Sequence, residues 1–233
     1  MTEHETPHPP RALTRTLTRR VVTLSLAAAL AVSATACGSD SATVDESASE
    51  QTSEQPADTA GNGADLAFVS QMIPHHQSAV EMAEIAEKQA ERDELRTLAS
   101  DIIEAQTAEI TTLEALKSDL EAANIEEGDL GISDDMAGMN MDSGMLKTAD
   151  PFDREFIDMM IGHHQGAIRM ARAEMTDGAN PQAQRLAEEV IAAQTREIEQ
   201  MNEWRKEWYG ETSPAGGVPA EDEAASEEHS GGH

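Results

Sequence analysis

FVSQMIPHHQSAVEMA, residues 68–83, and FIDMMIGHHQGAIRMA, residues 156–171, are one segment written twice at an offset of 88 residues. Phe68, Met72, Ile73, His75, His76, Gln77, Ala79, Met82 and Ala83 recur as Phe156, Met160, Ile161, His163, His164, Gln165, Ala167, Met170 and Ala171. The register holds further along without a gap. Leu98, Ala105, Gln106, Thr107, Glu109 and Ile110 return as Leu186, Ala193, Gln194, Thr195, Glu197 and Ile198. Such self-similarity marks one structural unit used twice.

The apolar residues step by three and four, which is the period of a helix with one buried face. Phe68, Met72, His75, Ala79 and Met82 share a stripe, as do Phe156, Met160, His163, Ala167 and Met170. Each repeat carries two such segments, so four helices are predicted, near 64–90, 93–121, 151–176 and 181–208. Asp150 before Pro151, and Asn180 before Pro181, read as a capping side chain followed by Pro at the first helical position. Gly178 reads as the end of the third helix. Pro74 lies inside the first helix, where it supplies no N–H, and its counterpart is Gly162, another poor helix residue. Two hairpins with short turns bury their stripes by packing together. The expected fold class is all-α, a four-helix bundle built from two repeated hairpins, 64–121 and 151–209, joined by a Met-rich linker at 122–150.

The stripe of the second helix reads Leu98, Ile102, Ala105, Glu109, Leu113, Leu116, Leu120. That of the fourth reads Leu186, Val190, Ala193, Glu197, Met201, Trp204, Trp208. A glutamate interrupts each, and a buried carboxylate needs a cation, strong donors or a metal. Residues equally far from a hairpin turn lie at one level. His75 is 16 residues before position 91 and Glu109 is 18 after it, a mismatch of about 3 Å along the axis at ~1.5 Å per residue. Gln106 shares that level. With His76 and the second repeat's His163, His164, Gln194 and Glu197, one polar layer of eight side chains is expected to cross the bundle. It reads either as a metal site or as a set of His–Glu hydrogen bonds fixing register.

The duplicated Phe, Met-Ile, His-His and Met-Ala pattern resembles the ferritin-like bacterial family catalogued as domain of unknown function 305, over about residues 64 to 209. The resemblance implies a ferritin-like bundle in an extracytoplasmic protein, and some members are linked to copper binding. A di-iron site of the ferritin type needs Glu and His three apart. Here the third-neighbour pair is Gln106 with Glu109 and the histidines are adjacent, so iron is a poor match. Imidazole with thioether favours copper, and zinc accepts imidazole with carboxylate. The candidate ligands are His75, His76, His163, His164, Glu109 and Glu197, with Met72 and Met160 on the same stripes.

A second candidate set is Met136, Met139, Met141 and Met145, with Asp134, Asp135 and Asp142 alongside. This resembles the flexible methionine motifs of copper-handling proteins. Thioethers prefer Cu(I) and form no disulfides in an oxidising compartment. The alternative is a loose acidic loop whose methionines pack on the bundle.

At the amino end, Arg11, Arg15, Arg19 and Arg20 precede an apolar run from Val21 to Ala36, the pattern of a secretion signal. The run stops at Ala34, Thr35 and Ala36 before Cys37, the sole cysteine. This resembles the lipobox of bacterial lipoproteins, which implies cleavage after residue 36 and acylation of Cys37. The expected location is the extracytoplasmic side of the cell membrane, lipid-anchored; ordinary cleavage leaving a free thiol is the alternative. Residues 37–63 and 210–233 are Ser, Thr, Gly, Ala and acid, and are expected to be a disordered tether and tail. Losing residues 1–36 takes the net charge from −29 to −31, which disfavours nucleic acid and attracts cations.

One cysteine cannot build a tetrathiolate zinc site, an iron–sulfur cluster or a disulfide. There is no nucleophile constellation, phosphate loop or haem-attachment motif. The sequence reading is a membrane-anchored metal binder for copper sequestration or delivery. Its alternatives are an interaction lipoprotein whose layer only sets the fold, and a metal oxidase. The sequence points to no particular protein partner.

Overall fold

Asn62 opens the first helix: its side chain accepts the N–H groups of Ala64 and Asp65, and the Asp65 carboxylate accepts the Asn62 N–H in return. This reciprocal cap satisfies donors that a helix start leaves orphaned. The computed structural model describes residues 60–221, so the secretion signal, Cys37 and most of the tether lie outside the described residues. The regular elements among the described residues are all helical, with no strand. The elements are α1 (Gly63–Gln89), α2 (Asp93–Ala122), a 3-10 helix (Ser143–Thr148), α3 (Phe152–Asp177) and α4 (Pro181–Tyr209). Among them no helix is long and apolar enough to cross a membrane.

Asn180 caps α4 through the N–H groups of Gln182 and Ala183. The expected cap at Asp150 is not formed. Pro151 is itself the N-cap, extended at φ −73° and ψ 134°, and no side chain accepts the first-turn N–H groups of α3. α1 runs unbroken through Pro74, which is exposed.

Each hairpin packs on itself, and α1 packs on α3 at the centre of the molecule. Two buried aspartates explain how the hairpins are joined. Asp65, at the start of α1, accepts the N–H groups of Ala179 (3.1 Å) and Asn180 (2.8 Å) in the α3–α4 turn. Asp153, at the start of α3, accepts those of Glu91 (2.8 Å) and Arg92 (3.1 Å) in the α1–α2 turn. The two stand 88 residues apart, so the repeat carries its own clasp, and α1 and α3 run antiparallel. Backbone donors of this kind compensate a desolvated carboxylate.

The apolar core falls into two clusters, one including Met82, Leu95, Ile102, Phe156 and Met160, the other Phe68, Met72, Leu113, Leu116 and Met170. The buried residues of α2 are Leu95, Leu98, Ala99, Ile102, Gln106, Leu113, Leu116 and Leu120. This corrects the expected stripe, since Ala105 is exposed and Glu109 half-buried. α4 makes the same choice, burying Gln194 rather than Ala193 or Glu197. A neutral amide is cheaper to desolvate than a carboxylate.

The linker closes one side of the α1–α3 pair. It leaves α2 beside the start of α1, where Gly128 N–H donates to Gly63 O at 2.9 Å, and crosses α3 at Gly166. A Cβ on Gly166 would lie 2.0 Å from the Ala137 carbonyl oxygen. The 3-10 helix then packs against both α1 and α3 with Leu146 buried. Residues 211–221, expected within a disordered tail, are instead held on the surface of α3 and α4. Gln165 donates to the carbonyls of Ala215 (2.8 Å) and Gly217 (2.7 Å), and Arg172 to that of Pro219 (2.9 Å). Ser213 N–H donates to Asn202 Oδ1 at 2.9 Å. These side chains supply the partners that the low-complexity composition alone does not.

Candidate metal centre

Between the two core clusters lie four histidines, all fully buried. The rings of His75 and His163 meet with centroids 3.7 Å apart and planes tilted by 35°, and His76 and His164 flank them at 6.2 and 6.4 Å from their chain neighbours. The contact pairs repeat-equivalent residues, as the antiparallel crossing of α1 and α3 at this level requires. His76 Nε2 lies 2.8 Å from Glu109 Oε2, and His164 Nε2 lies 2.6 Å from Glu197 Oε2. Both carboxylates remain about one-fifth exposed, at 20% and 21%. They stand at the rim of the layer, so their charge stays partly hydrated and a buried carboxylate does not arise.

The nitrogens left over define the chemistry. When Nε2–H donates to the glutamate, the neutral ring carries its lone pair on Nδ1. Nδ1 of His76 and of His164 is buried without a hydrogen-bond partner, and both ring nitrogens of His75 and His163 lack a well-aligned one, the backbone of Ala137 and His163 beside His75, and of His75 beside His163, giving only weak contacts. The side-chain oxygens of Gln106 and Gln194 are likewise unpaired. Burial lowers the His75 pKa from 6.5 to about 3, helped by the neighbouring His76 and His164. Burial and then His75 hold His163 well below its ordinary value too. Both rings are therefore neutral, the form that donates to a metal.

Met72 and Met160 precede their histidines by one helical turn and are fully buried. Met72 belongs to one core cluster and Met160 to the other, so a thioether lies on either side of the layer along the bundle axis. Among the described residues no group of three or more His, Cys, Asp or Glu is arranged to hold a metal ion. The four histidines fall under that statement as well, so His and carboxylate alone do not assemble a metal site here; the surplus donors of the layer are imidazole nitrogens, with the thioethers of Met72 and Met160 one helical turn away.

The linker methionines separate into two groups. Met141 and Met145 line a cleft of about 390 Å³ together with Met159 of α3. Met136 and Met139 are not among its walls. Met159 belongs to neither candidate ligand set legible in the sequence, although the cleft includes it. Asp65 and Asp153 stand outside those sets too, and their 88-residue spacing was the available signal.

The model of the family described as Domain of unknown function (DUF305) matches residues 65–205 and 153–232. No curated protein matches the chain. The solved structure of CopM in its Cu(I)-bound form is 38% identical, aligns with 63% of this chain and 98% of its own, and has a TM-score of 0.53. A putative secreted DUF305 protein from Streptomyces coelicolor is 26% identical over 67% of this chain and 98% of its own, with a TM-score of 0.55. A DUF305 fragment from Deinococcus radiodurans is 28% identical over 63% and 98%, with a TM-score of 0.54. CopM has also been solved in Cu(II)-bound and Ag-bound forms. With a matched segment that spans both repeats and both His-His pairs, the chain belongs to the DUF305 family.

Proposed function

We propose that this protein is an extracytoplasmic copper-binding protein, lipid-anchored to the membrane through Cys37, that sequesters or delivers the ion without turning it over. In this reading the helices form a ferritin-like four-helix bundle around a central site. His75, His76, His163 and His164 are its nitrogen donors, Met72 and Met160 its thioethers. Glu109 and Glu197 orient the outer rings, as carboxylates behind metal-bound histidines do. Met136, Met139, Met141 and Met145 belong to a second, more accessible set.

The observation that carries the reading is the group of buried imidazole nitrogens without well-aligned partners. Each unmade hydrogen bond of this kind costs about 1–3 kcal/mol, and a soft metal ion would satisfy several at once. The similarity to CopM, solved with Cu(I), Cu(II) and Ag, supports copper over zinc or iron.

The test is competition of the purified chain against chelators of known affinity for Cu(I), Cu(II) and Zn(II), beside the double variant His75→Leu, His163→Leu. Tight Cu(I) binding is expected for the wild type and its loss from the buried site in the variant. The metal-free variant is expected to melt no lower than the wild type, because Leu removes unpaired polar atoms from the core. Failure to compete for any of the three ions sinks the copper reading. A second reading, in which the layer only fixes helix register, draws on the His76–Glu109 and His164–Glu197 bonds. It requires the double variant His76→Leu, His164→Leu to melt well below the wild type and the wild type to hold no metal.

A further inference from the structure

Among the described residues, Met139 and Met145 are the large apolar side chains left most exposed, at 36% and 58%. Exposed methionine gains little from hydrophobic burial, so packing does not account for Met145. Its surroundings do. With Met141 and Met159 it lines the cleft between the linker and the first half of α3. Met141 and Met145 come from the linker, whereas Met159 is fixed on a helix. Gly162 gives Met141 its place: a Cβ there would lie 2.9 Å from the Met141 Cε. In the first repeat the same position is Pro74, and no linker crosses it.

Three carboxylates share the walls, Asp142, Glu155 and Asp158, and two of them are already engaged. Asp158 accepts from the buried Arg205 guanidinium at 3.1 Å, and Asp142 accepts the Gly144 N–H at 2.8 Å. They contribute negative potential, and Asp158, held by Arg205 on both oxygens, is not free to ligate an ion. Neutral thioethers in an acidic field suit a soft cation of low charge.

We propose that this cleft is a distinct three-thioether site for Cu(I) or Ag(I), formed by Met141, Met145 and Met159, with Met136 and Met139 outside it. The inference rests on the copper reading above and narrows its linker half to specific sulfurs. The cleft is open to solvent, whereas the histidine layer is fully buried, so the cleft is the position an incoming ion reaches first. The helical Met159 preorganises it by holding one sulfur in place before the ion arrives.

The full-length chain with methyl-labelled methionine, assigned through single Met→Leu variants, is titrated with Ag(I) while its methionine methyl and histidine ring signals are followed by NMR. The methyls of Met141, Met145 and Met159 are expected to shift together, with Met136 and Met139 unmoved. Met159→Leu, a near-isosteric change, should weaken that step by about tenfold or more, since even groups behind a metal's ligands cost that much. The response of the histidine rings should survive it. Met136 and Met139 shifting with Met141 and Met145 while Met159 stays still would overturn the site in favour of a linker that binds alone. Silent methyls with responding histidine rings would also overturn it and leave the buried site standing. Silence in both sets of signals would remove both proposals.

Discussion

His75, His163 and Glu174 are titratable side chains that the fold holds neutral, and they oppose one another in pH dependence. His75 titrates near 3 in the folded protein against an ordinary 6.5, so between those values the unfolded chain binds the extra proton and stability falls as pH drops. His163 acts in the same sense. Glu174 is pushed from 4.5 up to about 9, first by burial and then by the adjacent Asp65. Across that window the folded protein keeps a proton the unfolded chain has lost, so stability falls as pH rises. Above pH 6.5 the Glu174 contribution acts without the histidines. Thermal melts of the wild type and Glu174→Gln should therefore diverge between pH 4.5 and 9, the variant losing less as pH rises from 6.5 to 9 and declining more steeply as it falls from 6.5 to 4.5. Parallel curves across that range would show that Glu174 is ionised in the fold. Glu174 has no counterpart in the first repeat, where the equivalent residue is Ala86, so the internal repeat held no hint of it.

Helix periods were legible at the scale of elements, because a 3.6-residue repeat of apolar positions is a local property, and so was the cap at Asn180, though not those at Asn62 and Pro151. The second helix shows where local reading fails. Ala105 and Gln106, or Glu109 and Ile110, are neighbours on a wheel, and only the docked partner helix decides which faces inward. The aspartate clasps are likewise tertiary, since each carboxylate serves a turn more than sixty residues away in sequence. Asp153→Ala strips the N–H groups of Glu91 and Arg92 of their acceptor and should destabilise the protein by about 2 kcal/mol. Urea unfolding measures this, and Asp153→Asn, which keeps one carbonyl oxygen, should fall between the two. A loss below about 0.5 kcal/mol, the scatter of ordinary surface changes, would mean that water replaces the carboxylate at no cost.

Across the whole molecule the two repeats are no longer equivalent. The linker and residues 211–221 both settle on α3, which offers Gly162, Gln165 and Gly166, while α1 offers Pro74, Gln77 and Ser78 at the matching positions. Gly166 is decisive because the Ala137 carbonyl occupies the space a Cβ would need. Gly166→Ala should lift the linker from α3 without unfolding the hairpins. Hydrogen exchange should rise across about residues 133–142, and helical content by circular dichroism should not change. Unaltered exchange there would show that the crossing tolerates a methyl group. The variant should also lose the Met141, Met145 and Met159 response to Ag(I), because two of those sulfurs travel with the linker.

The sequence by itself determined the duplication, the four helices, the pairing of histidines at one level and the two families of candidate ligands. Each of these follows from spacing along the chain, which translates directly into position on a helix. Only the tertiary structure decided that His75 meets His163, that the glutamates stand at the rim and the glutamines inside, and that Met159 joins two of the four linker methionines. Those outcomes depend on how the two repeated hairpins dock and on which of them the linker and tail cover. The positions the repeats share carry no information about that choice, and it was settled by the absence of a side chain at Gly162 and Gly166 and by the reach of Arg172, whose counterpart is Glu84.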